Sequence, residues 1–392
     1  MLSPSGYYLP HAVNTPSLGA ETPASTSPAT AAEVLTTSKR DHVPELDWVK
    51  GFAILCVVCI HAELLAGSFV FRRLIDRAVL VFMLLFGISS ELWWLREEAR
   101  APERAIKNWY TGRLRRILPG YWALIVIWWV VVVLWRTPDG AVKLSWPLAV
   151  ANLFAYTPNI GTSWFVTVIL QFILVFPFLR MGVTRVGWPI ALAIAALVTW
   201  WTGWKMFDIV DTGKAILGNN IQWPGFFYHW IFGPRALFNV VTGILVARWW
   251  RGRLSLPVTL IALVLTLIGN YGASLARAPE HDEIGPIREL SVICLVDVPL
   301  ALALLGLFRW IPMPKSVLRF LAWCGVWSWG IYLGHLLVHE LICIPGFRPE
   351  RLPQHLRALY AVLLLALGVP VAVLASRIEA AFVERFRKRP AG

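Results

Sequence analysis

Apolar residues occur along the chain in long runs that polar and basic stretches separate. Runs of about 17 to 25 residues, the length that crosses a bilayer, lie near residues 46–66, 74–95, 117–135, 163–180, 188–204, 226–248, 255–276, 290–308, 318–342 and 357–377. This pattern predicts an all-α fold, a polytopic integral membrane helical bundle with about ten transmembrane helices.

Composition supports the membrane assignment. Of the 392 residues, 57% are hydrophobic and 15% are charged, and 22 are Trp, which is more apolar material than a soluble core of this length can hide. The formal net charge of +13 is distributed in short clusters between the apolar runs. Since these clusters form no continuous basic face, we expect a lipid bilayer and no nucleic acid as the partner.

The basic clusters lie mainly in alternate loops. With the N-terminus inside, the cytoplasmic loops hold about twice as many Lys and Arg residues as the opposite loops, so the positive-inside rule places both termini in the cytoplasm. Residues 1–43 are rich in Ala, Ser, Thr and Pro, which predicts a disordered cytoplasmic tail. We expect a membrane domain over residues 44–380 and a basic cytoplasmic tail over residues 381–392.

Ionisable residues interrupt the first apolar run, "ELDWVKGFAILCVVCIH". Lys50 and His61 are eleven residues apart, so at about 100° per residue they share one helix face, and Asp47 falls on the same side. Such groups are costly in hydrocarbon and commonly mark function. The stripe therefore indicates a polar path that ends at an imidazole. A snorkelling Lys50 and a His61 that merely hydrogen-bonds a neighbouring helix would give the same pattern.

A second basic feature precedes the third apolar run, in "WYTGRLRRILPGYW". Arg113 and Arg116 are three residues apart and project from one face of a helix. Paired guanidinium groups bind phosphates well. Basic residues at the cytoplasmic end of a span are also ordinary determinants of topology, and this alternative stays open from the spacing alone.

These stretches resemble the acyltransferase type 3 family of polytopic membrane acyltransferases. The first helix of that family reads approximately L-D-x-x-R-G-x-A followed by a His, and its next cytoplasmic loop carries R-x-x-R-I-x-P. Here the corresponding stretches are "LDWVKGFAILCVVCIH" and "RLRRILP". Two later stretches, "TSWFVTVILQFILVFPFL" and "SWGIYLGHLLV", are similar to the family's Trp-Phe-Leu helix and its S-Y-G-I-Y-L-x-H segment. The resemblance covers roughly residues 44 to 380.

The chain departs from the family pattern at two places. Lys50 replaces the usual Arg of the first motif, which keeps the charge and loses the planar fork. Members reading W-S-L-x-x-E-E-Q have an acidic pair where Ile169 and Leu170 stand here before Gln171. A catalytic role of that Glu therefore does not carry over.

The resemblance implies an O-acyltransferase that moves an acyl group, usually acetyl, from cytoplasmic acyl-CoA to a hydroxyl of a sugar or a cell-surface or exopolysaccharide glycan across the membrane. It implies acetyl-CoA as the donor substrate and a glycan acceptor, including a lipid-linked one. It also implies a multi-pass protein of the bacterial inner (cytoplasmic) membrane. We expect no metal, although His335 and His339 have the i, i+4 spacing that can bind one.

The resemblance also assigns site residues. His61 is expected to be the general base, or the nucleophile if an acyl-histidine forms. Lys50 would guide the CoA chain, Asp47 would orient Lys50, and Arg113 and Arg116 would hold the CoA phosphates. The residues expected to line the substrate cavity are Trp164, Gln171, Tyr332 and His335.

Two other classes of function fit the same composition. A transporter or flippase of a lipid-linked glycan or its precursor would use the intramembrane charges as a substrate path. A non-catalytic scaffold of an envelope assembly complex would need neither His61 nor the paired arginines. The order of the motifs favours the enzyme over both.

Overall fold

The computed structural model describes residues 43–64, 74–136, 164–217, 233–251, 253–275, 293–343 and 347–387. Every regular element within these segments is a helix, as the apolar runs predict. The tail expected at residues 1–43 lies outside the described residues except for Val43.

The described segments contain α-helices that follow the apolar runs in order. They are α1 (Pro44–His61), α2 (Ala78–Arg100), α3 (Ala105–Arg136), α4 (Trp164–Val186), α5 (Trp188–Leu217), α6 (Leu237–Trp250), α7 (Leu256–Leu275), α8 (Val298–Trp310), α9 (Lys315–Val326), α10 (Ser328–Cys343) and α11 (Gln354–Arg387). Short 3-10 turns precede α3, α6 and α11, and a π-helical turn, Ile293–Asp297, leads into α8.

Three helices in the described part of the chain are individually long and apolar enough to cross a membrane. They are Leu74–Arg100, Trp164–Val186 and Gln354–Val371. Two shorter apolar helices, Trp188–Thr202 and Leu256–Tyr271, accompany them. The described residues thus support a helical membrane protein, and the expected number of ten spans stays a prediction.

The run at 318–342, predicted as one helix, is instead two helices. α9 and α10 meet at a bend of 74°, and Trp327 lies between them. The sequence "CGVWSWG" at this point combines Gly325, Ser328 and Gly330 within six residues, and such small residues favour kinks. The bend turns α10 away from the axis of α9.

Glycines permit the closest helix contacts. A Cβ atom on Gly51 of α1 would lie 2.0 Å from the carbonyl oxygen of Leu321 in α9, and one on Gly325 would lie 1.9 Å from the carbonyl oxygen of Asp47. Likewise, a Cβ on Gly334 of α10 would lie 2.1 Å from the carbonyl oxygen of Gly368 in α11. Small residues allow backbones to approach in this way in membrane proteins. These contacts hold α1 close against α9 and α10 close against α11.

A buried ion cluster joins α2, α4 and α6. The Glu91 side chain is fully buried, and its carboxylate accepts hydrogen bonds from Arg180 Nε at 3.1 Å and from Arg248 Nε at 2.8 Å. Arg180 also pairs with Glu98. Because two guanidinium groups neutralise and hydrogen-bond Glu91, the cluster satisfies a charge that would be very costly alone.

Large apolar side chains cover the outer faces of several helices. More than half of the surface of Phe178, Leu267 and Leu359 is exposed. Many other Leu, Ile and Val residues of α4, α5, α7 and α11 are exposed as well. An exposed apolar surface of this extent fits contact with lipid chains.

The basic C-terminal segment begins as helix. α11 continues to Arg387, so the first residues of the tail expected at 381–392 extend the last helix. The residues after Arg387 lie outside the described part of the chain.

We predict that Glu91→Gln destabilises the protein because it leaves two partly buried guanidinium groups without their shared, fully buried carboxylate. The expected cost of about 3 kcal/mol lowers the unfolding temperature in detergent by about 4 °C for a chain of this length. The matched control is Glu98→Gln, since the Glu98 side chain is 48% exposed and exposed pairs contribute little. Equal shifts for the two variants would contradict a special role of the buried carboxylate.

Candidate active site

Two histidines from distant parts of the chain meet at the end of α1. His61 is the last residue of α1, and its Nδ1 atom lies 2.9 Å from Nε2 of His335 in α10. His335 is fully buried, whereas His61 is half-buried. The histidine that the sequence places at the end of a polar stripe is therefore held by a second imidazole.

The backbone determines the tautomers of both rings. His335 Nδ1 lies 2.8 Å from the carbonyl oxygen of Ile331, and a carbonyl only accepts, so Nδ1 carries the proton. In the neutral ring, Nε2 of His335 then has a free lone pair and accepts from His61 Nδ1–H. The unprotonated nitrogen of neutral His61 is consequently Nε2. A base or nucleophile needs such a lone pair.

Close packing positions this histidine pair. Gly334, directly before His335, touches the backbone of Gly368 in α11. On the other side, the Arg357 guanidinium donates from Nη1 to the carbonyl oxygen of Glu63 at 3.1 Å, just after the end of α1. Glu63 adopts a left-handed backbone conformation, with φ of 51°. The end of α1 and the middle of α10 are thus both anchored to α11.

A third histidine lies beside the pair. The His339 ring is centred 5.6 Å from that of His61, and its Nδ1 lies 3.0 Å from the Tyr360 hydroxyl. Its Nε2 lies 3.8 Å from Cys343 Sγ. Within the described segments, no three His, Cys, Asp or Glu side chains are placed to hold a metal ion.

Aromatic side chains form the wall next to His335. The Tyr332 ring lies edge-on to His335, with centroids 5.8 Å apart, and stacks on Trp329 at 5.9 Å. Phe165 of α4 packs against Tyr332 at 5.3 Å, and Trp164 lies next to Phe165. Tyr332 therefore borders the histidine pair, whereas Phe165 separates Trp164 from Tyr332, so Trp164 lies two rings further away.

Gln171 has a structural partner. Its Oε1 atom accepts a hydrogen bond of 2.7 Å from the backbone N–H of Gly233, in the 3-10 turn that leads into α6. This contact ties α4 to the start of α6. The expected role of Gln171 in substrate binding stays a prediction.

Two arginines of α3 lie close enough to Lys50 to interact with its charge. The Nζ atom of Lys50 lies 3.5 Å from Asp47 Oδ1, as the i, i+3 spacing predicts, and the charges of Arg113 and Arg116 on α3 act on it. The Arg113 guanidinium lies over the Trp109 ring, 4.7 Å from its centroid. We call Lys50, Arg113 and Arg116 the basic cluster. Among the described residues, Asp47 is the one carboxylate that pairs with it.

The structure thus brings the expected residues together in two groups. His61, His335 and Tyr332 form one group, and the basic cluster with Asp47 forms the other. The family resemblance predicts His335 in the substrate cavity, and one open interpretation of His61 is a hydrogen bond to a neighbouring helix. The sequence does not identify His335 as that partner, because no pattern within either helix reports a contact across 274 positions.

Sequence reasoning also missed Glu91. A lone acid after the apolar stretch "VLVFMLLFGISS" is the signal that could have identified it, since intramembrane carboxylates are commonly paired.

Comparison with known proteins supports the family resemblance that the sequence motifs indicate. A family model described as an acyltransferase domain, that of the type 3 acyltransferases, matches residues 43–377. No curated protein and no solved structure gives a significant match. The matched region includes α1 with His61, the basic cluster and α10 with His335, so the chain belongs to the acyltransferase type 3 family of membrane proteins.

Proposed function

We propose that the protein is an O-acyltransferase that moves an acetyl group from cytoplasmic acetyl-CoA to a hydroxyl of a sugar or cell-surface glycan across a bacterial inner membrane. The observation that carries this proposal is the hydrogen bond from His61 Nδ1 to His335, which leaves Nε2 as the nitrogen with a lone pair. Family membership supplies the reaction class.

The basic cluster supports an anionic donor. In the part of the chain that the structure describes, three cations have one paired carboxylate, Asp47, which leaves an excess of positive charge. Phosphates suit such a site because guanidinium groups bind them with two parallel hydrogen bonds. We assign Arg113 and Arg116 to the CoA phosphates and Lys50 to the chain that follows them.

The distance between the two groups suits the shape of the donor. Lys50 and His61 are eleven residues apart on α1, which corresponds to about 16 Å along the helix. A CoA molecule held by its phosphates at the basic cluster would direct its thioester towards the histidines. Asp47 keeps Lys50 oriented towards this path.

His61 then acts as the general base. Its Nε2 removes the proton of the acceptor hydroxyl while the hydroxyl oxygen attacks the thioester carbon. The C–S bond breaks, the CoA thiolate leaves, and the proton on Nε2 passes to that thiolate. His335 Nε2 accepts the Nδ1–H bond throughout and so stabilises the imidazolium form. If an acyl-histidine forms instead, the same Nε2 atom is the nucleophile.

The distribution of basic residues supports the direction of transfer. With both termini in the cytoplasm, the basic cluster faces the compartment that holds acyl-CoA. A flippase of a lipid-linked glycan, the competing function, would need the same polar path and no thioester chemistry.

We predict that His61→Ala retains acetyl-CoA binding and loses acyl transfer, because the variant keeps the phosphate site and lacks the base. The measurement is thiol release from acetyl-CoA by purified protein in detergent, with donor affinity determined in parallel. The expected loss is about 100-fold or more. The control is His355→Ala, since His355 is exposed at the start of α11. Unchanged turnover in His61→Ala would refute the base assignment, and wild type that neither binds nor cleaves acetyl-CoA would favour transport.

We predict that Arg113→Gln combined with Arg116→Gln weakens acetyl-CoA binding at least about tenfold, since each change removes a charged donor to phosphate. Binding should also lose much of its dependence on salt concentration. Arg115→Gln is the matched control because Arg115, which is exposed like Arg116, lies between them in sequence and outside the basic cluster. If Arg115→Gln weakens acetyl-CoA binding as much as the double variant does, the effect comes from general surface charge and not from a specific phosphate site.

We predict that His335→Leu lowers kcat about 100-fold with little change in the KM for acetyl-CoA, because His61 loses the acceptor that fixes its tautomer. His335→Gln should recover part of this loss, since an amide oxygen also accepts from His61 Nδ1–H. The two constants and the thermal stability of both variants are measured together. Equal losses in both variants, with lower stability, would show that His335 serves packing alone.

A further inference from the structure

A fourth cation lies beside the basic cluster. Arg96, near the end of α2, is exposed to solvent, and its charge acts on Arg113 together with that of Arg116. The Nε atom of Arg96 donates a hydrogen bond of 3.0 Å to the carbonyl oxygen of Leu92, one turn earlier in α2. This bond holds the side chain along its own helix and uses only one of the three guanidinium nitrogens.

The acids next to Arg96 have other partners. Glu98 pairs with Arg180 in the buried ion cluster, and Glu97 accepts a hydrogen bond of 2.5 Å from Asn108 Nδ2, which joins α2 to α3. At about 100° per residue, Glu98 lies about 160° around the helix from Arg96. No carboxylate in the described segments pairs with Arg96. Its charge is therefore unbalanced within that part of the chain.

Aromatic packing positions Arg96 relative to Arg113. Trp93 precedes Arg96 by three residues, so the two side chains lie on the same side of α2. The Trp93 ring packs against that of Trp109 on α3, with centroids 5.4 Å apart, and the Arg113 guanidinium lies over the same Trp109 ring. Helix packing thus holds two like charges near each other, and an anion stabilises such an arrangement.

The four cations form a row. Lys50 interacts with the charges of Arg113 and Arg116, and Arg113 interacts with those of Arg116 and Arg96. Arg96 therefore extends the basic cluster on the side away from Lys50. A ligand that carries phosphate groups at more than one position along its length matches this row.

We infer that Arg96 binds the 3′-phosphate of acyl-CoA. This inference rests on the proposed function, in which Arg113 and Arg116 hold CoA phosphates and Lys50 guides the chain that follows. CoA carries a diphosphate next to the pantetheine arm and one further phosphate on the ribose, at the end remote from the thioester. The order of pantetheine arm, diphosphate and 3′-phosphate matches the order of Lys50, the arginine pair and Arg96. Nη1 and Nη2 of one guanidinium suit two oxygens of a terminal phosphate.

The test compares acetyl-CoA with acetyl-dephospho-CoA, which lacks only the 3′-phosphate. Binding of both donors is measured for wild type and Arg96→Gln in a neutral detergent, so that lipid phosphates do not compete. Wild type should bind acetyl-CoA about tenfold more tightly than the analogue, the effect of one charged, hydrogen-bonded pair. Arg96→Gln should bind both donors with the affinity that wild type has for the analogue.

Further variants locate the effect. Arg96→Lys keeps the charge and loses the planar fork, so it should retain part of the preference for acetyl-CoA. Arg113→Gln combined with Arg116→Gln should weaken binding of both donors, because both carry the diphosphate. Arg104→Gln is the matched control, since Arg104 is exposed in the short turn between α2 and α3, and it should leave both affinities unchanged. Arg96→Gln should also keep the kcat of wild type, because the 3′-phosphate is remote from the reacting atoms.

Three results would overturn the inference. One is a wild type that binds the two donors equally. Another is an unchanged preference for acetyl-CoA in Arg96→Gln, which would favour a lipid phosphate as the partner of this exposed group. The third is an equal loss for both donors in Arg96→Gln, which would indicate a general effect of surface charge. In each case wild type that still cleaves acetyl-CoA leaves the proposed function intact. Wild type that does not bind acetyl-CoA at all would refute both.

Discussion

The candidate active site depends on the hydrogen bond from His61 Nδ1 to His335 Nε2. This bond connects the end of α1 with the middle of α10, and the carbonyl of Ile331 sets its direction. The Ile331 carbonyl accepts from His335 Nδ1–H, and His335 Nε2 accepts from His61 Nδ1–H. The lone pair of neutral His61 is therefore on Nε2. Glycine contacts of α1 with α9 and of α10 with α11 keep the two rings within reach.

The two charged clusters of the protein differ in how their charges are balanced. Glu91 is matched by Arg180 and Arg248, so that cluster is complete within the chain and serves the packing of three helices. The basic cluster has Asp47 as its paired carboxylate and, within the described segments, retains excess positive charge. An unbalanced cluster beside a polar path suits an anionic ligand, whereas a balanced one suits structure.

The sequence correctly predicts a helical membrane protein, because the lengths of its apolar runs are those of helices that cross a bilayer. It also predicts the Asp47–Lys50 pair and the shared location of Arg113 and Arg116, because these are local spacings on one helix. It predicts neither the bend at Trp327 nor the contact of His61 with His335. Both depend on how separate helices pack against one another. Small residues such as Gly325 and Gly334 permit close packing, but the sequence does not show which helix each of them contacts.

The measurement that tests the central claim most directly is the ¹⁵N spectrum of histidine-labelled protein, with His61→Gln used to assign the His61 signals. Imidazole nitrogens with and without a proton differ strongly in chemical shift. At neutral pH we expect a protonated Nδ1 and an unprotonated Nε2 for His61, and a loss of this preference in His335→Leu. A His61 ring that carries its proton on Nε2 in the wild type would contradict this expectation.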